Sequence, residues 1–136
     1  MARLILDSGV LVAGVRGKLD LAAITDEDDV ALPAVALAEY LTGVLLDGDQ
    51  ARRAAQRAFL DDVLTVVPVE DYTPAVAEHH AELLAFVKGN GAPRGAHDLV
   101  IAATARATGR VLVTTDSRAR FGELPEVAVR LVPRRA

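Results

Sequence analysis

Asp7, Glu39, Asp98 and Asp116 each sit where an otherwise apolar stretch would be more stable without a charge, or where a strand end faces a helix start. Asp7 closes Leu4-Ile5-Leu6 and opens Ser8-Gly9-Val10-Leu11-Val12-Ala13, and Asp116 closes Val111-Leu112-Val113-Thr114-Thr115 and opens Ser117-Arg118-Ala119-Arg120-Phe121. Asp98 follows a glycine-containing loop and begins the run Leu99-Val100-Ile101-Ala102-Ala103. Each aspartate alone has an ordinary explanation as a helix N-cap, since its carboxylate accepts from an exposed backbone N–H. Glu39, between Ala38 and Tyr40 in mid-helix, does not. If the four converge, two unit charges about 4 Å apart repel by roughly 4 kcal/mol at an effective dielectric near 20. A few such pairs would consume much of the roughly 5–15 kcal/mol that holds a small domain together. A divalent cation reverses the sign. The chain has no cysteine, so the available ligands are hard oxygens, which favour Mg²⁺ or Mn²⁺.

Convergence has to come from the elements that carry these residues. Strands are expected near 3–6, 30–32, 64–67, 111–114 and 128–132, separated by helical stretches, and this alternation predicts a parallel α/β sheet. Such a sheet gathers residues at a crevice outside the carboxyl ends of its strands. Pro33 suits the first turn of a helix ending near Asp47-Gly48-Asp49, on which Glu39 has the small neighbours Ala36 and Gly43. From Gln50 to Val63 the pattern is amphipathic, with Ala51, Ala55, Phe59 and Val63 on one side and Arg52, Arg53, Gln56 and Arg57 on the other. The helix after Pro74 puts His80 on a stripe with Val76, Leu83 and Val87, so His80 reads as a core or interface histidine. His97 reads as a substrate contact or a helix-start residue.

The 136 residues fit one domain, 1–136, and 51% hydrophobic residues suffice for a packed core. Fifteen basic against nineteen acidic residues, a net charge of −4, argues against holding nucleic acid by bulk charge, although local basic patches remain open. The N-terminal apolar run lacks the basic region and small-residue cleavage site of a signal peptide. No uncharged run approaches the roughly 20 residues that span a bilayer, and a cytoplasmic protein is expected.

Taken together, Leu6-Asp7-Ser8-Gly9, Ala38-Glu39, His97-Asp98-Leu99-Val100-Ile101-Ala102-Ala103 and Thr114-Thr115-Asp116 resemble the four-acid signature of PIN-domain nucleases, and more narrowly of VapC-type toxins. The resemblance covers nearly the whole chain, including Arg94-Gly95-Ala96-His97-Asp98 and Phe121-Gly122-Glu123-Leu124-Pro125. It implies a three-layer α/β/α fold with a central, mainly parallel sheet. It also implies an endoribonuclease that hydrolyses a phosphodiester of tRNA or rRNA with water activated by Mg²⁺, for which Mn²⁺ substitutes. Asp7 and Asp98 would be the principal metal ligands, completed by Glu39 and Asp116, with Ser8 and Thr114 orienting the acids. A VapB-like antitoxin and a homodimer within a larger complex are the partners implied.

An acidic site repels RNA, so Arg94, Arg118 and Arg120, near the acids in sequence, are the expected phosphate contacts. Arg94→Ala is expected to weaken cleavage with little change in folding. A haloacid-dehalogenase-type phosphotransferase needs a second aspartate where Gly9 stands. A receiver domain needs a late lysine, and the lysines are Lys18 and Lys88. The competing reading from another class is a catalytically silent PIN-like module that binds RNA or protein.

Overall fold

The computed structural model describes residues 1–91 and 93–135. Five parallel strands, β1 (Arg3–Leu6), β2 (Asp29–Pro33), β3 (Val69–Glu70), β4 (Val111–Thr114) and β5 (Val129–Leu131), form one sheet in the order β3-β2-β1-β4-β5. Register follows the apolar runs, with Leu4 opposite both Val30 and Val111, and Leu112 opposite Val129. Leu4, Ile5, Leu6, Ala31, Leu32, Leu112 and Val113 are fully buried, as expected for strands covered on both faces by helices.

Helices α1 (Ser8–Val15), α2 (Leu21–Thr25), α3 (Ala34–Leu46), α4 (Gln50–Leu64), α5 (Pro74–Asn90) and α6 (Ala96–Thr108) flank the sheet. The result is the α/β/α arrangement expected. Because β1 is central and the chain proceeds to β2 on one side and β4 on the other, the crevice of an open α/β sheet falls at its carboxyl end. Asp7 is the first residue beyond β1 and Asp116 the second beyond β4. Helix α1 is apolar nearly all round and packs deeply. At Gly14 a Cβ would lie 2.8 Å from the Phe59 ring of α4, and at Gly9 one would lie 2.9 Å from Thr115 Oγ1. Glycine at position 9 therefore lets the start of α1 approach the segment that carries Asp116.

Three expectations are corrected. The strand expected at 64–67 does not form, because α4 runs on to Leu64 to bury Leu60 and Val63 and its last turn closes by bonds from Val66 and Val67 N–H to the Val63 carbonyl. Pairing starts only where the Pro68 carbonyl accepts from Leu32 N–H, at 2.9 Å. The buried side of α4 is also rotated from expectation. Ala51 and Ala55 face solvent, while Gln56 is half-buried, its carbonyl accepting from Tyr40 Oη at 2.7 Å and its side-chain amide donating to Asp47. Finally, among the described residues no α-helix follows Asp116. Arg120 takes a left-handed conformation (φ +50°) that interrupts any helix there, and a single 3₁₀ turn, Phe121–Glu123, plugs the buried Phe121 ring into the core.

Candidate functional site

Asp7 stands at the N-cap of α1 with extended backbone, but its side chain makes no cap hydrogen bond. Instead Oδ2 accepts from Thr114 Oγ1 at 2.9 Å, so the hydroxyl at the end of β4 holds the carboxylate at the end of β1. The same Thr114 oxygen accepts from the Asp116 backbone N–H at 3.0 Å. Asp116 is exposed and its Oδ1 accepts from Arg118 N–H at 2.8 Å, a turn held by the side chain itself. Glu39, half-buried on α3, accepts from Ser8 Oγ at 3.3 Å through one oxygen and from His97 Nδ1 at 3.2 Å through the other. Asp98 does not begin α6 but lies in its first turn, with its carboxylate folded back over Gly95, where a Cβ would sit 2.9 Å from Oδ2.

Electrostatics links the four. Burial raises the Asp7 carboxyl from 3.8 to about 6, with the negative charges of Asp98 and Glu39 adding to the shift and the Thr114 hydrogen bond opposing it. Asp98 is raised by burial and by the charges of Glu39 and Asp116, against partial relief from His97 and Arg94. Among the described residues no lysine or arginine forms an ion pair with any of the four; the one partner is His97, on Glu39. The structure therefore keeps acids together with little compensation, and Asp7 is only 8% exposed.

Among the described residues no three acidic or imidazole groups close on a single point as a preformed cage would. Mg²⁺ does not require such a cage, since it retains several waters and is usually held by one or two carboxylates. The donor set is all hard oxygen, and the unfavourable burial of Asp7 beside like charges is what a cation would relieve. The residues present fit such an ion.

Two shallow clefts flank the acids. One is lined by Glu39, Gly95, Ala96, His97 and Asp98, the other by Thr115, Asp116, Ser117, Arg118 and Arg134. His97 is thus a neighbour of Glu39, a pairing that 58 residues of sequence separation conceal. The three arginines expected to grip RNA are placed differently from one another. Arg118 is exposed, and Arg120 is half-exposed and 3.6 Å from Glu123. Arg94 departs from expectation: its side chain is only 7% exposed, Nη1 donates to the Ala119 and Arg120 carbonyls at 2.9 and 2.8 Å, and Nη2 meets Glu123 at 3.4 Å. It clamps the loop behind Asp116. Arg94→Ala should consequently lower the melting temperature as well as activity, because the part-buried Ala119 carbonyl and the exposed Arg120 carbonyl lose a charged donor, at about 1 kcal/mol; a thermal melt of the purified variant checks this.

Comparison with known proteins gives a consistent result. A family model described as PIN domain matches residues 4–126. A protein named Ribonuclease VapC from Rickettsia bellii (strain RML369-C) is 27% identical over 130 residues, 96% of each chain. Among solved structures, VapBC2 from Rickettsia felis, bound to a DNA fragment from its promoter, superposes with a TM-score of 0.83 at 21% identity, covering 95% of this chain and 98% of that one. VapBC-5 from Mycobacterium tuberculosis, a member of the VapBC family of toxin–antitoxin systems, gives a TM-score of 0.77 at 28% identity, covering 98% and 99%.

Proposed function

The chain belongs to the PIN-domain family, and on that premise we propose that it is the ribonuclease toxin of a toxin–antitoxin pair, a Mg²⁺-dependent endonuclease acting on tRNA or rRNA. The observation that carries this reading is the coupling of Asp7, Glu39, Asp98 and Asp116 at the carboxyl end of a parallel sheet with no arginine or lysine paired to them among the described residues. Fold alone would not do so, because one fold hosts many functions.

When bound, a divalent cation supplies charge neutralisation at the phosphate and a more acidic attacking water. Asp7 and Asp98 are its principal ligands in this proposal, and Glu39 and Asp116 complete the acidic rim directly or through water. Thr114 fixes the Asp7 carboxylate and, by accepting from the Asp116 amide, ties the ends of β1 and β4 into one unit. Ser8 and His97 hold the two oxygens of Glu39 in place. No side-chain nucleophile is needed. Hydrolysis is in-line attack on phosphorus with departure of the 3′ oxygen. Arg118 contributes to holding the backbone, and Arg120 does so only by giving up its 3.6 Å pair with Glu123, whereas Arg94 acts through the loop it clamps.

The Mycobacterium tuberculosis neighbour VapBC-5 is a member of a family of toxin–antitoxin systems. A VapB-like antitoxin that covers the acidic site is the partner proposed here, with a homodimer of this chain inside the larger complex and one domain, 1–136, carrying the whole activity. Among the described residues no helix is long and apolar enough to cross a membrane. The test is incubation of the purified chain with total RNA in Mg²⁺, in EDTA and as Asp7→Asn. Cleavage in Mg²⁺ alone is expected; cleavage that persists in EDTA or in the variant would overturn the reading, and an inactive wild-type chain would favour the silent binding module.

A further inference from the structure

RNA has to be held beside a cluster of acids on a chain of net charge −4, so the cations not already committed decide where its backbone runs. Most arginines are committed. Arg94, Arg106 and Arg110 are almost buried against carboxylates, Arg3, Arg52 and Arg57 pair with aspartates at the surface, and Arg120 is drawn to Glu123. Arg16, Arg53, Arg118, Arg130, Arg134 and Arg135 remain, and of these Arg118 and Arg134 stand beside the acids. Among the described residues neither forms an ion pair, and both line the cleft that contains Asp116, together with Thr115 and Ser117.

The C-terminal segment is placed there by two backbone bonds. Val132 N–H donates to the Thr114 carbonyl at 2.8 Å, continuing the alignment of β5 with β4, and Arg135 N–H donates to the Lys18 carbonyl at 2.9 Å. Residues 132–135 are thus pinned at one end to the strand that carries Thr114 and at the other to the turn after α1. Arg134 lies between the two anchors. The cleft therefore combines two uncommitted guanidinium groups with two hydroxyl-bearing residues directly beside one of the site acids. Guanidinium forks match phosphate oxygens in geometry as well as charge.

We propose that Arg134 and Arg118, with Thr115 and Ser117, form a phosphate-binding subsite that seats the RNA backbone next to Asp116, making the C-terminal tail part of the substrate grip. This rests on the ribonuclease reading, and the experiment separates the two. Affinity for a labelled single-stranded RNA oligonucleotide is measured in EDTA by fluorescence anisotropy across a salt series, for wild type, Arg134→Gln, Arg118→Gln with Arg134→Gln, and Arg130→Gln as an exposed control on β5. Arg134→Gln should weaken binding about tenfold and reduce the slope of log K against log salt by about 0.7, one phosphate contact on a single strand. The double variant should lose more, and Arg130→Gln should match wild type. In Mg²⁺, KM should rise with kcat unchanged. An unaltered affinity and slope for Arg134→Gln would overturn the subsite, as would an equal loss in Arg130→Gln, which would mean diffuse attraction only, or a wild-type chain that binds no RNA. Binding that depends on Arg134 in a chain that cuts nothing would keep the subsite and end the nuclease reading.

Discussion

Replacing Asp7 with asparagine should abolish RNA cleavage while raising the melting temperature of the metal-free protein. The activity loss follows from its position, since no other acid is held by Thr114 at the end of β1; removal of one preorganised electrostatic group at a reacting centre typically costs about a hundredfold to a thousandfold. The gain in stability has a separate origin. The folded Asp7 carboxyl retains its proton up to about pH 6, against 3.8 for an unperturbed group. As pH rises from about 4 through about 6 the unfolded chain ionises first, so the metal-free folded state loses stability across that window and does not regain it above. A shift of this size corresponds to about 2–3 kcal/mol at neutral pH, or roughly 5–10 °C for a chain of this length. Asparagine carries no charge, and its carbonyl still accepts from Thr114. Thermal melts in EDTA at pH 5 and pH 7.5 should show the wild type losing stability with rising pH and Asp7→Asn losing less. Adding Mg²⁺ should then raise the melting temperature of the wild type at pH 7.5 and leave the variant unmoved. A variant that melts below wild type in EDTA at pH 7.5 would contradict the assignment of Asp7 as a strained, uncompensated carboxylate.

Removing Arg110 should do the reverse, damaging stability and sparing catalysis. Arg110 precedes β4, at the amino end of the strand and away from the acids, with a side chain only 5% exposed. Its Nη1 donates to the Leu4 carbonyl at 3.1 Å, the Asp29 carbonyl at 2.9 Å and Asp29 Oδ1 at 3.1 Å, joining the central strand to β2. Breaking one partner from a buried ion pair costs about 3–5 kcal/mol, and the lower end applies because Asp29 is 37% exposed and also pairs with Arg3. Arg110→Met keeps most of the stem volume and isolates the loss of the hydrogen bonds. We expect a fall of about 10 °C in melting temperature, with the cleavage rate per folded molecule unchanged well below the transition. Loss of activity without loss of stability would mean that the two ends of the sheet are not separable in this way.

The contrast explains what the sequence made legible. β1 and β4 are short, mainly apolar runs followed within two residues by an acid, a pattern that survives because strands covered on both faces are largely apolar until they leave the sheet. Asp7 and Asp116, with the switch point between β1 and β4, could therefore be placed from the sequence, and Thr114 with them. Glu39 stood out as a mid-helix carboxylate between apolar residues, and Asp98 as an acid between a glycine-containing loop and an apolar helical run. Val66-Val67 misled because β-branched residues suit a strand, whereas the helix before them wins by burying Leu60 and Val63. Arg94 misled for a different reason: proximity to Asp98 in sequence suggested a substrate contact, but the carbonyls it satisfies belong to residues 119 and 120, whose arrival depends on a left-handed Arg120 that no pattern announces. Arg134 was missed because its place depends on the alignment of β5 with β4 and on a bond to Lys18, both properties of the folded chain.

The chemistry of the cut ends tests the central claim most directly. Water delivered in line at an acidic divalent-cation site, with the 3′ oxygen leaving, yields a 5′-phosphate and a 3′-hydroxyl at every cut. End-group analysis of RNA cleaved by the purified chain in Mg²⁺ should find those two ends; fragments carrying 2′,3′-cyclic phosphates would show attack by the neighbouring ribose hydroxyl and contradict the assignment of the four acids.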